Sequence, residues 1–472
     1  MTRDAAIRRA IDHYDSGAFL EVLRRRVKRR TVSQEAGQVP ELLAYLTEEI
    51  TPDIERLGFT AEIVPNTRPE FGPFLIAERH EGDQLPTVLI YGHGDTVRGE
   101  EPQWRNGLAP WDVTVEGDRW YGRGTADNKG QHTINISALE QVLLAREGRL
   151  GFNTKLLIEM GEETGSPGLT ALCEQNREAL SADLLIASDG PRMSSERPTV
   201  FLGSRGIYNF ELELNLREGT YHSGNWGGLL RNPGTVLANA IASLVDARGR
   251  ILVERLRPPP IPSAVANALS DLKVGGGPND PPIDSEWGEP GLSNEERVFA
   301  WNSIEVLAFK TGNPDAPQGA IPGRAKATLQ LRFVIGTDWQ NLIAIVREHL
   351  DDHGFSIVTV QPTRDEVLIA TRLDPEDPWV GWILQSIAET TDKKPALIPN
   401  LGGSIPNHVF AEVLGMPTLW VPHSYPGCSQ HAPNEHLLGS VVREGLAMMA
   451  GVFWDLGEKG DSILGKRKHS LS

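Results

Sequence analysis

The sequence has few of the features that tie a protein to an oxidising compartment, a membrane or a nucleic acid. It contains only two cysteines in 472 residues, Cys173 and Cys428, which cannot form a disulfide framework. No apolar run approaches the roughly 18 residues of a membrane span. Acidic residues outnumber basic ones by 63 to 46, and the resulting net charge of −17 argues against nucleic-acid and anionic-membrane partners.

The N-terminal residues 1–33 follow an amphipathic helical pattern, without the apolar core and cleavage site of a secretion signal. Hydrophobic residues make up 39% and charged residues 23% of the chain, which is the profile of a soluble globular protein. A chain of this length predicts two or three domains. We therefore expect a cytoplasmic enzyme.

Strand and helix signals alternate over the first 200 residues. Three apolar segments, "TVLIYGHGDT", "TKLLIEMGEE" and "ADLLIASDG", are typical of strands that end in acidic residues, and "INISALEQVLLA" is helical. The C-terminal part again contains helix and strand signals, in the helix "WVGWILQSIAET" and the strand "PTLWVP". The pattern predicts an α/β domain whose mostly parallel sheet carries helices on both faces.

The middle of the chain has a different pattern of apolar and polar residues. "GIYNFELELNL" alternates apolar and polar residues, as a half-exposed antiparallel strand does. Two helices, "GTVLANAIASLVDA" and "DWQNLIAIVREHL", would pack on one face of this small sheet. We predict a catalytic domain, residues 1–203 and 367–472, interrupted by a smaller α+β lid or dimerisation domain, residues 204–366. The proline- and glycine-rich residues 257–294 would be an insertion, a lid element or a disordered segment.

Acidic residues and histidines follow the predicted strands, where ligands bind in α/β sheets. His93 and Asp95 follow "VLIY", and Gly92 and Gly94 would let the backbone turn sharply there. The other candidates are Glu162, Glu163, Asp189 and His431, which follow predicted strands, and Asp127, which lies in a glycine-bearing loop that leads into a helix. Because parallel strands share a carboxyl edge, these residues can converge on one place.

Two histidines and three carboxylates suit a pair of divalent metal ions, with one carboxylate bridging them. We expect zinc, with manganese or cobalt as alternatives. Glu162 is then left over beside Glu163, in the position that a general base requires. Each residue also has a purely structural alternative: Asp127 could cap the following helix, and His431 could form a surface pair with His436.

Five motifs, "GHGDTV", "GRGTADNKG", "EMGEETGS", "LLIASDG" and "SQHAPNEH", resemble those of the M20 metallopeptidases in order and spacing. That family includes aminoacylases, carboxypeptidase G-type enzymes and dipeptidases related to carnosinase. The resemblance implies that Asp127 bridges two metals, that Glu162 is the general base and acid, and that Asp95 orients His93. It implies that His93 and Asp189 complete one metal site and that Glu163 and His431 complete the other.

Further segments of the sequence are similar to those of the carnosinase-like dipeptidases. "TYHSGNWGG" is similar to their lid segment, which implies that His222 reaches across a homodimer interface and stabilises the developing oxyanion. "LGGSIP" and "LQLRFVIG" match segments that hold the substrate's carboxylate, which implies that role for Arg332, Gly403 and Ser404. Where those dipeptidases carry a threonine, this sequence has Gly319 and Ala320, so one substrate contact is missing.

We expect a dinuclear metal-dependent hydrolase that cleaves a peptide or amide bond of a small substrate with a free carboxylate, as a dipeptidase or carboxypeptidase does. An N-acyl amino acid is the alternative substrate, and a catalytically silent binding relative is a further alternative. The enzyme would be a homodimer, and the strand "NFELELNL" (Asn209 to Leu216) would offer a sheet edge for pairing.

Overall fold

A computed structural model describes residues 2–275, 281–363 and 367–470. The chain divides into two compact units. The first comprises Met1–Gly203, Leu373–Ile398 and Pro406–Ser472, and the second Ser204–Arg372 and Pro399–Ile405. The first boundary falls where the sequence places it. The chain returns to the first unit at 372/373 rather than at 366/367, and the segment that carries Gly403 and Ser404 belongs to the second unit.

The elements of the described chain are as follows. The helices are α1 Arg3–Asp15, α2 Ala18–Lys28, α3 Val39–Ala44, α4 Thr51–Arg56, α5 Lys129–Ala145, α6 Leu169–Gln175, α7 Arg177–Leu180, α8 Ser223–Trp226, α9 Pro233–Leu244, α10 Ser263–Leu269, α11 Asn294–Phe299, α12 Leu342–Asp352, α13 Pro378–Thr391 and α14 Gly439–Ser470. The strands are β1 Thr60–Val64, β2 Phe74–Arg79, β3 Thr87–His93, β4 Thr114–Glu116, β5 Arg119–Tyr121, β6 Asn153–Glu159, β7 Leu184–Ala187, β8 Thr199–Phe201, β9 Gly206–Asn215, β10 Tyr221–His222, β11 Ser303–Thr311, β12 Ala320–Ile321, β13 Arg324–Phe333, β14 Thr359–Pro362, β15 Ala396–Ile398, β16 Thr418–Trp420 and β17 His436–Leu438.

The first unit is built on an eight-stranded sheet with the order β1-β2-β6-β3-β7-β16-β8-β15. Its four central strands, β6, β3, β7 and β16, are parallel, while β1 and β2 are antiparallel and form one edge. The central strands are almost wholly buried, as expected for strands covered on both faces. The α/β fold with a mostly parallel central sheet is thereby confirmed.

The second unit contains a four-stranded antiparallel sheet with the order β11-β13-β9-β14. The helices α9 and α12 pack with it in one hydrophobic core, as predicted. The expectation that "NFELELNL" offers a sheet edge is wrong, because β9 lies between β13 and β14. Alternation reports which faces of a strand are buried and does not report which strands lie beside it. The edge strands of this sheet are β11 and β14.

The proline-rich segment 257–294 contains regular structure where the structure describes it. It includes α10 and ends at α11, whose start is fixed by a capping box: the Ser293 hydroxyl accepts the Glu296 N–H at 3.2 Å, and the Glu296 carboxylate accepts the Ser293 N–H at 2.8 Å. Residues 276–280 of this segment lie outside the described residues. Every helix in the described part of the chain is too short or too polar to span a bilayer.

Candidate metal centre

The predicted acids and histidines meet at the carboxyl edge of the central strands. Two groups of three side chains bring their nitrogen and oxygen atoms within 4.8 Å of one another: one consists of His93, Asp127 and Asp189, and the other of Asp127, Glu163 and His431. His93 ends β3, Glu163 lies in the short 3-10 turn Glu162–Thr164, and the other three members lie in loops. Asp127 belongs to both groups, so the structure brings together all five predicted ligands around one shared carboxylate.

The two oxygens of Asp127 face different groups. Oδ1 lies 3.0 Å from Nε2 of His93, and Oδ2 lies 3.0 Å from Nε2 of His431. Nε2 of His93 is also 3.6 Å from Asp189 Oδ2, and Nε2 of His431 is 3.0 Å from Glu163 Oε2. A carboxylate with one oxygen on each side is the arrangement that a bridging ligand requires.

The structure shows neither of the purely structural roles considered for Asp127 and His431, a helix cap and a surface histidine pair. Asn128, not Asp127, is the N-terminal cap residue of α5, and it makes no side-chain capping bond. His436 does not pair with His431; its Nε2 lies 2.7 Å from the Tyr425 hydroxyl and its Nδ1 3.0 Å from the Asn434 carbonyl.

Burial and mutual repulsion perturb the carboxylates. Burial, together with the negative charge of Asp127, raises the pKa of Glu163 to about 7 and that of Asp189 to about 6. Burial also raises the pKa of Glu162 well above its usual value, with the charges of Asp189 and Glu163 adding to the effect. Burial alone would raise the pKa of Asp127 too, but hydrogen bonds from His431 and His93 outweigh it and lower that pKa.

The histidines respond in the opposite sense. Hydrogen bonds to Asp127 and Glu163 raise the pKa of His431 to about 11. Burial opposes protonation of His93, yet its bonds to Asp127 and Asp95 raise its pKa well above the usual value. Carboxylates that repel one another beside imidazoles are the donor set of divalent metals, and a cation placed among them would stabilise every ionised carboxylate. The residues present therefore fit a metal centre.

Asp95 has two roles in the structure. Its Oδ1 lies 3.3 Å from Nδ1 of His93, the contact that the sequence predicts. The same carboxylate also accepts the backbone N–H groups of Glu162 and Glu163, each at 3.1 Å. Asp95 thus holds the turn that carries the proposed base. Glu162 itself belongs to neither donor group, and its Oε2 lies 4.0 Å from Nε2 of His93.

Gly92 and Gly94 are required for a reason other than the one predicted. Neither has a positive φ, so the expectation of a sharp glycine-dependent turn is wrong. A Cβ on Gly92 would come within 2.6 Å of the His132 Cβ, and one on Gly94 within 2.4 Å of the Tyr45 ring. The two glycines allow α5 and Tyr45 to approach the strand end closely.

Sequence reasoning missed the residue that shapes the loop before Asp127. The buried carboxylate of Glu435 accepts the N–H groups of Gly124 and Ala126 at 2.9 Å and of Asp127 at 3.1 Å. Its other oxygen accepts a bond from Arg123 at 2.7 Å, and both side chains are 1% exposed. Glu435 lies within the motif "SQHAPNEH", and its position in that motif could have indicated a role at the site.

The remaining predicted site residues lie in the second unit. Nη1 of Arg332 donates to the Ser404 hydroxyl at 2.9 Å, and Gly403 is exposed beside it. His222 is exposed on β10, where it pairs with Ala320 of β12. Ala320, one of the two residues at which the resemblance predicts a missing substrate contact, is therefore the neighbour of His222 across this ladder.

Residues 89–455 match the model of peptidase family M20/M25/M40. The chain belongs to this family. It is 30% identical over 453 residues to a Mus musculus protein named beta-Ala-His dipeptidase, which covers 90% of this chain and 88% of the mouse protein. It is 28% identical over 306 residues, 60% of this chain and 65% of the relative, to the cysteinylglycine-S-conjugate dipeptidase of Corynebacterium striatum.

The fold of the family is present along nearly the whole chain. The crystal structure of the M20 family metallo-carboxypeptidase Sso-CP2 from Sulfolobus solfataricus matches with a TM-score of 0.76 and 26% identity, and the match covers 93% of this chain and 99% of that one. The resemblance drawn from the five motifs is confirmed. As an M20 peptidase the protein is a hydrolase, and metallopeptidases of this family use metal ions.

Proposed function

We propose that the protein is a metal-dependent dipeptidase that uses two divalent ions. The observation that carries the proposal is the pair of donor groups that share Asp127, with Glu162 beside them and outside both. Both sequence relatives named above, from Mus musculus and Corynebacterium striatum, are named dipeptidases, which favours dipeptides over N-acyl amino acids. Zinc is the first expectation for the ions, with manganese or cobalt as alternatives.

In this proposal His93, Asp127 and Asp189 hold one ion, and Asp127, Glu163 and His431 hold the other. When bound, the ions would polarise the scissile carbonyl and lower the pKa of the attacking water. Glu162 removes a proton from that water and later donates it to the leaving amine. Burial and neighbouring carboxylates raise the Glu162 pKa, which suits a group that must hold a proton between these steps. Asp95 positions Glu162 through its backbone N–H.

Arg332, Ser404 and Gly403 would hold the substrate's free carboxylate. Among the described residues, the Arg332 guanidinium donates to Gln330 Oε1 and to the Ser404 hydroxyl, both neutral groups. Its charge is therefore available to an anion, and an arginine can bind a carboxylate through two parallel bonds.

The proposal includes a homodimer in which His222 stabilises the developing oxyanion in the partner's site. His222 is exposed, and the edge strand β11 of the same unit exposes three apolar side chains, Val306 at 47%, Leu307 at 53% and Phe309 at 42%. An apolar sheet edge favours pairing with a second copy.

Subunit exchange tests this arrangement. His222→Ala and Glu162→Gln proteins should each be nearly inactive. Mixed under exchange, each heterodimer should contain one site with both residues intact and regain about half of the wild-type dimer's activity. Mixtures that stay inactive after proven exchange would place His222 within its own chain's chemistry or outside it.

The dipeptidase proposal is tested by loading the chelated protein with zinc, manganese or cobalt. The loaded protein is then assayed on dipeptides, longer peptides and N-acyl amino acids. We expect hydrolysis of dipeptides that disappears on chelation and returns with metal. Preference for longer peptides would favour the carboxypeptidase type, and full activity in metal-free protein would refute the mechanism. The cytoplasmic location stays a prediction.

A further inference from the structure

A cavity of about 240 Å³ lies within the second unit beside Arg205. One wall comes from the end of the proline-rich segment and the helix that follows it, with Trp287, Glu289, Arg297 and Trp301 among its residues. Arg250 also lines the cavity. The segment that the sequence leaves without a role therefore builds a concave surface.

Specific contacts hold this wall in place. Arg297 donates to the carbonyl of Glu289 at 3.1 Å and to that of Trp287 at 2.8 Å. The Gly288 N–H donates to the Arg248 carbonyl at 2.6 Å. Gly249 has a φ of +77°, and a Cβ there would come within 2.5 Å of the Trp287 ring. The cavity is thus the product of long-range packing.

The cavity carries an excess of positive charge. Three arginines and two glutamates line it. One of the glutamates, Glu289, forms an ion pair with Arg257 outside the lining and lies 3.5 Å from Nε of Arg250. Arg297 donates to carbonyl oxygens alone among the described residues, so its charge is not consumed by a hydrogen-bonded carboxylate.

Arg205 is the residue that links this cavity to the proposed carboxylate site. Within the described chain its guanidinium donates to the carbonyls of Gly402 at 3.1 Å and Trp301 at 3.5 Å. Its own carbonyl accepts the Ser404 hydroxyl at 2.6 Å, and that hydroxyl accepts a bond from Arg332. Burial, and then the positive charge of Arg332, lowers the pKa of Arg205 to about 10, and the negative charge of Glu305, which also lines the cavity, opposes this lowering.

We propose that the cavity beside Arg205 receives the side chain of the substrate's carboxy-terminal residue and selects an acidic one, aspartate or glutamate. This rests on the proposed function, in which Arg332 and Ser404 hold the α-carboxylate. The Arg332 guanidinium then binds the α-carboxylate of the carboxy-terminal residue, and the Arg205 guanidinium binds the side-chain carboxylate of the same residue. The charge balance of the cavity favours a carboxylate over an amide of equal size.

Pairs of dipeptides that differ only in this charge test the proposal: Ala-Glu against Ala-Gln, and Ala-Asp against Ala-Asn. We expect kcat/KM of the metal-loaded protein to favour the acidic member by about tenfold to a hundredfold, the range for a hydrogen bond to a charged group. Arg205→Gln keeps an amide donor but no charge, and it should bring the ratio close to one. Arg205→Lys should retain part of the preference.

Arg255→Gln is the matched control, because Arg255 is an arginine of the same unit that pairs on the surface with Glu348 at 2.9 Å. It should leave the ratio unchanged. A wild-type ratio at or below one would overturn the proposal without any variant. An Arg205→Gln protein that keeps the preference would overturn it as well.

A binding experiment separates failure of this inference from failure of the proposed function. If the loaded protein hydrolyses none of the dipeptides, the dipeptidase proposal fails. The inference is then judged by calorimetric titration with glutarate and with its half-amide glutaramate. Tighter binding of glutarate that is lost in Arg205→Gln supports the cavity's preference, and equal binding of the two overturns it.

Discussion

Glu435→Gln should destabilise the loop before Asp127 without changing a single predicted ligand. Glutamine keeps the oxygen that accepts the three backbone N–H groups of Gly124, Ala126 and Asp127. Its amide nitrogen replaces the oxygen that binds Arg123. The amide N–H₂ of the glutamine, a donor, then faces the N–H donors of Arg123. The Arg123 guanidinium, which is only 1% exposed, also loses its counter-charge.

The expected loss of stability follows from the burial of the ion pair between Glu435 and Arg123. Removing one partner of a buried ion pair costs about 3–5 kcal/mol, because the other charge stays buried and unpaired. Glu435→Ala should cost more, since three N–H groups also lose their acceptor, at about 1–3 kcal/mol for each buried group left unsatisfied. Against a typical stability of about 5–15 kcal/mol, the alanine variant is close to unfolding.

The assay is urea unfolding of the metal-free proteins, with amide exchange at Gly124, Ala126 and Asp127 as the local readout. The double variant Arg123→Met with Glu435→Gln is the matched control, and it should lose less than Glu435→Gln alone because no charge is left unpaired. A loss below about 1 kcal/mol for Glu435→Gln, or equal losses for the glutamine and alanine variants, would refute the reasoning.

Three further substitutions have defined outcomes. Asp127→Ala should strip both metal ions, because its oxygens face different donor groups, while Asp189→Ala should retain one; equal metal contents by elemental analysis would contradict a bridge. Glu162→Gln should keep its metal and lose about 10²- to 10⁴-fold in kcat, and near-normal turnover would show that Glu162 is a bystander. Burial raises the pKa of Glu159 from 4.5 to about 7, so the folded state binds more protons than the unfolded state between these values and stability falls as pH rises across that window. Glu159→Gln should remove this fall in metal-free protein and gain about 3 kcal/mol relative to wild type on going from pH 4 to pH 8; an effect of the substitution that does not change with pH would contradict a buried acid.

The catalytic sheet and the five ligand positions were predictable because their signals are local. The apolar runs before His93, Glu162 and Asp189 form the strands β3, β6 and β7. The rule that parallel strands share a carboxyl edge then brings distant side chains together without knowledge of the packing.

The remaining features depend on partners that are distant in sequence. Gly92 is confined by His132 from α5, and Glu435 binds a loop more than three hundred residues earlier in the chain. The alternation in β9 gives its faces but not its neighbours, so its central place in the sheet could not be read from the pattern. The cavity beside Arg205 likewise needs the fold of the proline-rich segment.

The acids of the centre divide into two kinds by their partners, a division that spacing in the sequence does not contain. Asp95 and Glu435 accept two and three backbone N–H groups respectively, so their oxygens have hydrogen-bond partners within the protein and need no cation as a partner. Asp127 and Glu163 instead each place an oxygen beside His431, and their two negative charges repel each other. A bound cation would therefore stabilise the ionised forms of these two carboxylates most. Removal of the ions should therefore change the protonation of Glu163 and leave the supporting bonds of Asp95 and Glu435 in place. Amide exchange at residues 124–127 and 162–163 should then be nearly the same before and after chelation, and metal loss should be reversible, because the supporting loops do not depend on the ions.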